Sequence, residues 1–417
     1  MKKSLFIIPG YRLFPIETGA GVAQFGFIDS LRHEWKISLL VDDSNVLPEH
    51  VAQLRLQWDN VELLFWKDLR QAWEDYVSSS LSYKVRRKFS SRTQVESFPN
   101  LPIPEQLRDV WENVSILYFE WPEWRRASLA FYLKKRHFDI VQTDLPCNLT
   151  FGSSVPRSTK SVHVCHELKH KRFESSAHLL GVSGLQYEKL LSALKKKELE
   201  LLKSFDYCLC FSAEDKDAID PDSDAVIISP FPVLDQEFHA GNRAEPIRLL
   251  FLGPEHHGPN KEGLVWFLKT VWNHTDSKMK LHVVGAWTDE TIAELTQDNV
   301  CFEGFVEELS PFFEDSIMIV PILSGAGIRT KILQAMAQKV PVLSTRFGAQ
   351  GMSVEDDMHL GFFDDLKEFE AKLKFMHDRE RRERMTMQAQ AYVKGHFSQS
   401  VLSSIRSKLF HSILDSK

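Results

Sequence analysis

Short apolar runs rich in β-branched and aromatic residues recur along this chain, each followed by a glycine or polar break and then by helical spacing. The runs at residues 5–8, 35–41, 138–143, 161–165, 207–211 and 225–228 predict strands buried on both faces. Residues 22–31 predict an amphipathic helix. Residues 186–203 predict a long charged helix with Leu190, Leu191, Leu194, Leu199 and Leu201 on its apolar side. Ser212-Ala-Glu-Asp215 has the form of a helix cap followed by an acidic first turn. Residues 46–120 show no clear period. Between about 232 and 244 the chain turns polar and loses periodicity, as a linker does. A second series then begins, with strands at 247–252, 280–284, 300–303, 316–323, 340–345 and 360–363. Its helices are expected at 260–273, 365–395 and 399–415. Alternating strands and helices define an α/β protein with parallel sheets. Two series of similar length joined by one linker imply two Rossmann-like domains facing a central cleft, at residues 1–235 and 245–398.

The stretch 321–352 organises the second series. A buried strand ends in Ser324-Gly-Ala-Gly327, where glycine permits a sharp turn and close approach to the backbone. Arg329 and Lys331 are expected in the first turn of the next helix, where cations oppose the helix dipole. Free amide groups, a glycine turn and two cations would make a phosphate cradle. A solvated surface loop fits the local pattern equally well.

Length and composition narrow the picture. The 417 residues exceed one ordinary core. With 43% hydrophobic and 26% charged residues the composition is that of a globular protein, and a net charge of −6 argues against nucleic acid as a partner. The five cysteines form no C-x-x-C pair, which argues against both zinc and a disulfide framework and fits a reducing cytoplasm. The apolar run at 5–8 is too short for a signal peptide, and no run is long enough to span a bilayer. Basic residues at 83–89, including Lys84, Arg86, Arg87 and Lys88, and others at Arg125, Arg126, Lys134, Lys135 and Arg136, have two readings. They would either meet the inner face of a membrane peripherally or form solvated helix faces. Asp144, His166 and Glu167 follow strands, where ligand contacts and capping residues both occur. Gly19 and Gly21 open a helix after the first strand. Asp42 and Asp43 end the second, as in a dinucleotide fold, but the long loop before Gly19 fits a substrate-admitting loop better.

Residues 302–306, Phe-Glu-Gly-Phe-Val, together with the glycine turn, the helix Lys331-Ile-Leu-x-Ala-Met-Ala337, residues 340–345 and Gly348-Ala-Gln-Gly351, resemble the family 4 (group 1) glycosyltransferases of the GT-B fold. Phe251-Leu-Gly253 with Asn260-x-x-Gly263, residues 206–212 and Gly19-Ala-Gly21 extend the resemblance. It implies a retaining, metal-independent transferase with no cofactor beyond a nucleotide-diphosphate sugar as co-substrate. It also implies a role in polysaccharide biosynthesis and a glycan, lipid-linked or protein-linked acceptor. The first domain would take the acceptor and the second the donor, and helix 399–415 would cross back onto the first. Gly304, Phe305 and Val306 would flank the base. Ser324, Gly325, Ala326, Gly327, Ile328 and Thr330 would hold the diphosphate, with Arg329 and Lys331 neutralising the leaving group. His166 would orient the donor sugar beside Gly19 and Gly21. Three departures stand out. Ala326 and Gln334 occupy the places of two glutamates, so Gln334 would meet the ribose without a charge. Lys261 is the nearest cation where an Arg/Lys pair follows the first strand of the second domain. Ser229-Pro-Phe-Pro232 replaces an Asn-Gly turn. A non-catalytic partner of another transferase and a nucleotide-sugar 2-epimerase remain as alternatives, although the latter needs acidic groups that the sequence does not assemble.

Overall fold

A computed structural model describes residues 2–10, 19–43, 46–79, 101–231, 233, 248–275 and 277–416. The basic stretch at 83–89 lies outside them. Two compact units result, one of residues 1–231 and 403–417, the other of residues 232–402.

The first unit is built on a seven-stranded parallel sheet. Its strands are β1 (Ser4–Ile8), β2 (Lys36–Val41), β3 (Glu62–Phe65), β4 (Ile140–Asp144), β5 (Lys160–Val164), β6 (Tyr207–Cys210) and β7 (Val226–Ile228). They lie in the order β3-β2-β1-β4-β5-β6-β7. The central strands are buried on both faces, which is why they read as continuous apolar runs. The helices are α1 (Gly19–Leu31), α2 (Pro48–Gln57), α3 (Trp66–Ser79), α4 (Arg108–Val114), α5 (Glu123–Lys135), α6 (Lys169–Leu179), α7 (Leu185–Leu202) and α8 (Ala213–Ile219). Ser212 caps α8, accepting a hydrogen bond from Asp215 N.

Four expectations change here. Gly19 and Gly21 lie inside α1 and do not precede it, and Gly21, Gln24, Phe27, Ile28 and Leu31 share its buried side. The predicted leucines of α7 do line the core, Leu190 and Leu194 buried and Leu191, Leu199 and Leu201 packed partly buried against it, but Tyr187, Leu202 and the fully buried Glu198 join them. The unreadable stretch contains β3, α2 and α3. One of the basic residues of α5 is turned inward: Arg125 pairs with Asp42 at 3.1 Å and sits over the rings of Trp66, Trp121 and Trp124, and at the end of that helix Arg136 pairs with Glu62. Those two guanidinium groups have anionic and aromatic partners, while Lys134 and Lys135 are exposed.

The second unit has a six-stranded parallel sheet ordered β10-β9-β8-β11-β12-β13. Its strands are β8 (Arg248–Leu252), β9 (Lys280–Val284), β10 (Val300–Gly304), β11 (Ser316–Val320), β12 (Val342–Ser344) and β13 (Gly361–Phe362). The helices are α9 (Gly258–Trp266), α10 (Asp289–Leu295), α11 (Ser310–Phe313), α12 (Thr330–Ala337), α13 (Leu366–His377) and α14 (Arg379–Phe397). Leu249, Phe251, Leu281, Val283, Ile317, Ile319 and Leu343 pack with Phe267, Phe363 and Phe369 in one core. Each such side chain contributes about 1.5–3 kcal/mol by leaving water. The helix expected from residue 260 starts two residues earlier and gives way to a π-turn at Phe267–Val271.

The last helix, α15 (Gln399–Asp415), completes the first unit. Trp35 Nε1 donates to Ser407 Oγ at 3.0 Å, and buried Arg406 donates to Ser229 Oγ at 2.8 Å beneath the Phe27 ring. Among the described residues no helix is long and apolar enough to cross a membrane.

Candidate active site

At the carboxyl edge of the second sheet, three neighbouring strands each end in a glycine. Gly253 follows β8, Gly285 follows β9 and Gly304 closes β10, all at positive φ. Gly253 N donates to Val284 O and Gly285 N to Gly304 O, both at 2.8 Å, which ties the three strand ends together. A Cβ on Gly285 would lie 2.5 Å from Gly253 O, so that layer admits no side chain. Phe305, next in the chain, is 77% exposed, and Val306 is half-buried.

Beside them β8 pairs with β11, and the loop after β11 turns at Gly325 (φ 109°) and Gly327 (φ 74°). A Cβ at Gly325 would come within 3.2 Å of Pro259, so this loop lies against the amino end of α9. The amino ends of α9 and α12 therefore open on the same edge; Pro259 brings no N–H to it and Asn260 N donates to His257 O at 2.8 Å, whereas Thr330 N and Lys331 N have no partner carbonyl within α12. Ser324 Oγ donates to Glu262 of α9, which fixes the loop from behind. Ala326, Ile328, Thr330 and Gln334 are half-buried around it.

The two cations behave differently from each other. Arg329 is the residue before α12 and not part of its first turn. Its guanidinium folds back on the loop, donating to Gly327 O and, at 3.4 Å, to Ser324 O, with the Phe347 ring 5.0 Å away. Lys331 is in the first turn, but its Nζ donates to Leu252 O at 2.6 Å and to Asn260 Oδ1 at 2.9 Å. Asn260 in turn donates to Pro254 O at 3.0 Å. Lys331 thus ties the end of β8 to α9 from the interior. The residue keeps some solvent contact along its stem, but the amine at its tip is enclosed, and the tip decides its ionisation. Burial, with the Arg329 charge adding to it, brings the amine down to about 7. Lys261, half-exposed, pairs with Glu255 at 2.6 Å.

His166 belongs to the first unit and follows β5. Its Nε2 lies 3.1 Å from Oδ1 of the fully buried Asp144, and its ring meets Phe211 edge to face. The buried His163 beside it is pushed down to about 3 by burial and by His166, so its ring is neutral. Sequence reasoning missed what holds this loop. Glu198 of α7 accepts from the backbone N of Lys169 (2.8 Å) and of His170 (3.0 Å), and its carboxylate lies 2.6 Å from His170 Nδ1. It caps α6 from another helix. Its signal was present in the sequence: an acidic residue four positions after Leu194 on an apolar stripe. Glu167 is held by Lys169 and Arg172. The predicted residues therefore fall into two groups, Gly19, Gly21 and His166 in one unit and residues 304–306 and 324–334 in the other.

Two doubly wound units with these sheet orders have the architecture of the GT-B fold. Within it, residues 246–377 match the family model described as glycosyl transferases group 1. A curated relative, an uncharacterised protein of the cps region of Klebsiella pneumoniae, is 28% identical over 179 residues, spanning 40% of this chain and 45% of that protein. Among solved structures, TarM aligns over 98% of this chain and 99% of its own, with 13% identity and a TM-score of 0.68. Sucrose-phosphate synthase from Thermosynechococcus elongatus aligns over the whole of both chains, with 11% identity and a TM-score of 0.68. HepE from Anabaena in complex with UDP-glucose aligns over 99% of this chain and 100% of its own, with 11% identity and a TM-score of 0.64.

Proposed function

We propose that this protein transfers a sugar, with retention of configuration, from a nucleotide-diphosphate donor to a hydroxyl of a glycan, lipid-linked or other acceptor. The observation that carries the reading is the convergence of two helix amino ends and Arg329 on a glycine-lined strand edge, with Lys331 behind it. A diphosphate at that edge would receive backbone N–H groups and the Arg329 guanidinium, which can swing from its carbonyl partners to the stronger acceptor. Its charge would also return a proton to Lys331, so both cations would stabilise the departing phosphate. Phe305 and Val306 would flank the base, and Gln334 would accept one ribose hydroxyl. His166, oriented by Asp144, would meet the sugar. These cations belong to the chain itself, so the reading requires no metal for transfer.

Calorimetric titration with UDP, GDP, ADP and dTDP tests the site. One of them should bind, and Arg329→Ala should weaken it at least tenfold while leaving the melting temperature unchanged. Absence of binding by all four would overturn the reading. It would favour instead a non-catalytic partner of another transferase, an idea to which the uncharged Gln334 already lends weight.

A further inference from the structure

The edge strand of the second sheet and its neighbour carry three metal-ligating side chains on one face, below the glycine edge. Parallel pairing sets Cys301 of β10 directly beside His282 of β9. Glu303, two residues on, shares the face of Cys301, because side chains alternate along a strand. Regular pairing would set Glu303 opposite Val284, two residues beyond His282. Instead the register shifts between Phe302 and Gly304, so Glu303 is the additional residue of a β-bulge. A bulge re-aims its side chain, and here the Glu303 carboxylate ends 2.6 Å from His282 Nδ1. One nitrogen, one sulfur and one oxygen thus lie within 4.8 Å of one another, the only such group among the described residues. The Phe312 ring closes one side, 6.3 Å from the imidazole, and the other side is open to solvent.

We propose that His282, Cys301 and Glu303 bind a zinc-like divalent cation, with water in the fourth position. Bonds of about 2.0–2.3 Å to N, O and S place tetrahedral ligands roughly 3.3–3.8 Å apart, so side-chain rotation alone closes the group. The thiol gives its proton to solvent, and thiolate plus carboxylate balance the two charges of the cation. The His282–Glu303 hydrogen bond is exchanged for two metal bonds. Mixed N, S and O donors select zinc or cobalt over magnesium or calcium, which take oxygen alone. No C-x-x-C is required, because the ligands come from adjacent strands and not from one turn. The cation would staple edge strand β10 to β9 just below Gly304 and takes no part in sugar transfer.

The untagged full chain is titrated with cobalt(II) chloride and, separately, with zinc in competition with a chromophoric chelator. The expected result is one equivalent bound with a thiolate-to-cobalt charge-transfer band in the near ultraviolet. That band should vanish in Cys301→Ser, fall at least tenfold in affinity in His282→Ala, and persist in the control Cys147→Ser. Zinc at about a hundred times its dissociation constant should raise the melting temperature of the wild type by roughly 5 °C and leave Cys301→Ser unmoved. Circular dichroism of the metal-free variants checks that each is folded. A cobalt spectrum without the thiolate band, or one that survives in Cys301→Ser, would overturn the assignment.

Discussion

Lys331 is the side chain whose environment can be measured most directly. In the folded chain its amine titrates near 7, against an ordinary value of 10.5, and burial is the main cause. That gap corresponds to about 5 kcal/mol against the protonated form. Below pH 7 folded and unfolded chains both hold the proton, and the full cost is present. Between pH 7 and 10.5 the unfolded chain holds a proton that the folded chain has released, so stability rises with pH by about 1.4 kcal/mol per unit. Lys331→Met keeps most of the stem and has nothing to titrate. Urea denaturation of both proteins at pH 6, 7, 8 and 9 isolates this group, because every other titration is common to the pair. Relative to the variant, the wild type should gain about 2–3 kcal/mol between pH 7 and 9 and less than about 0.5 kcal/mol between 6 and 7. Parallel stability curves across that range would refute the buried, neutral amine. If UDP is the nucleotide that binds, calorimetry at pH 8 in buffers of different ionisation enthalpy should register proton uptake, because the diphosphate returns the proton to Lys331.

Three further outcomes follow from the packing. Lys339 holds φ 59° at the turn after α12, where Lys339 N donates to Met336 O and Val340 N to Ala335 O in the pattern that glycine usually closes. Lys339→Gly should therefore stabilise the chain by roughly 0.5–1 kcal/mol in urea titration, and a loss of stability would contradict the strain. A Cβ at Gly263 would lie 2.3 Å from Pro321 O, a backbone atom, so Gly263→Ala should cost about 1–3 kcal/mol, and a silent substitution would show that α9 can shift freely. Glu198→Ala strands two backbone N–H groups and His170 in the interior. It should cost about 3–5 kcal/mol, with Glu198→Gln intermediate, and equal stability of the three proteins would remove Glu198 as the cap of α6.

What could be read from the sequence depended on how local its cause was. The central strands were visible because burial on both faces forces continuous apolar runs, as at Ile317–Val320 in β11. β3 was invisible because it is an edge strand whose four residues are all half-buried, leaving no such run. The glycine turn at 325–327 was legible from its residues alone. The duties of the two cations beside it were not, because Lys331 meets a carbonyl seventy-nine positions earlier in the chain. Arg125 is a similar case. Its neighbours Arg126 and Glu123 give it the look of a surface residue, yet Trp66 and Asp42 turn it inward. Pairings across such separations leave no periodic trace in a single sequence.

The return of α15 to the first unit makes the second unit an insertion within the first. Its two ends run side by side, with Val233 N donating to Phe397 O at 2.8 Å and bridging to Ser398, so the chain leaves where it came in. Residues 232–402 could therefore be cut out as one continuous piece with adjoining termini. The first unit cannot be obtained by trimming the chain: a protein ending at 398 would leave Trp35 and Ser229 without Ser407 and Arg406. During synthesis, then, the first part to be made is the last to be finished, and the unit carrying the glycine edge has every residue it needs while its host is still incomplete.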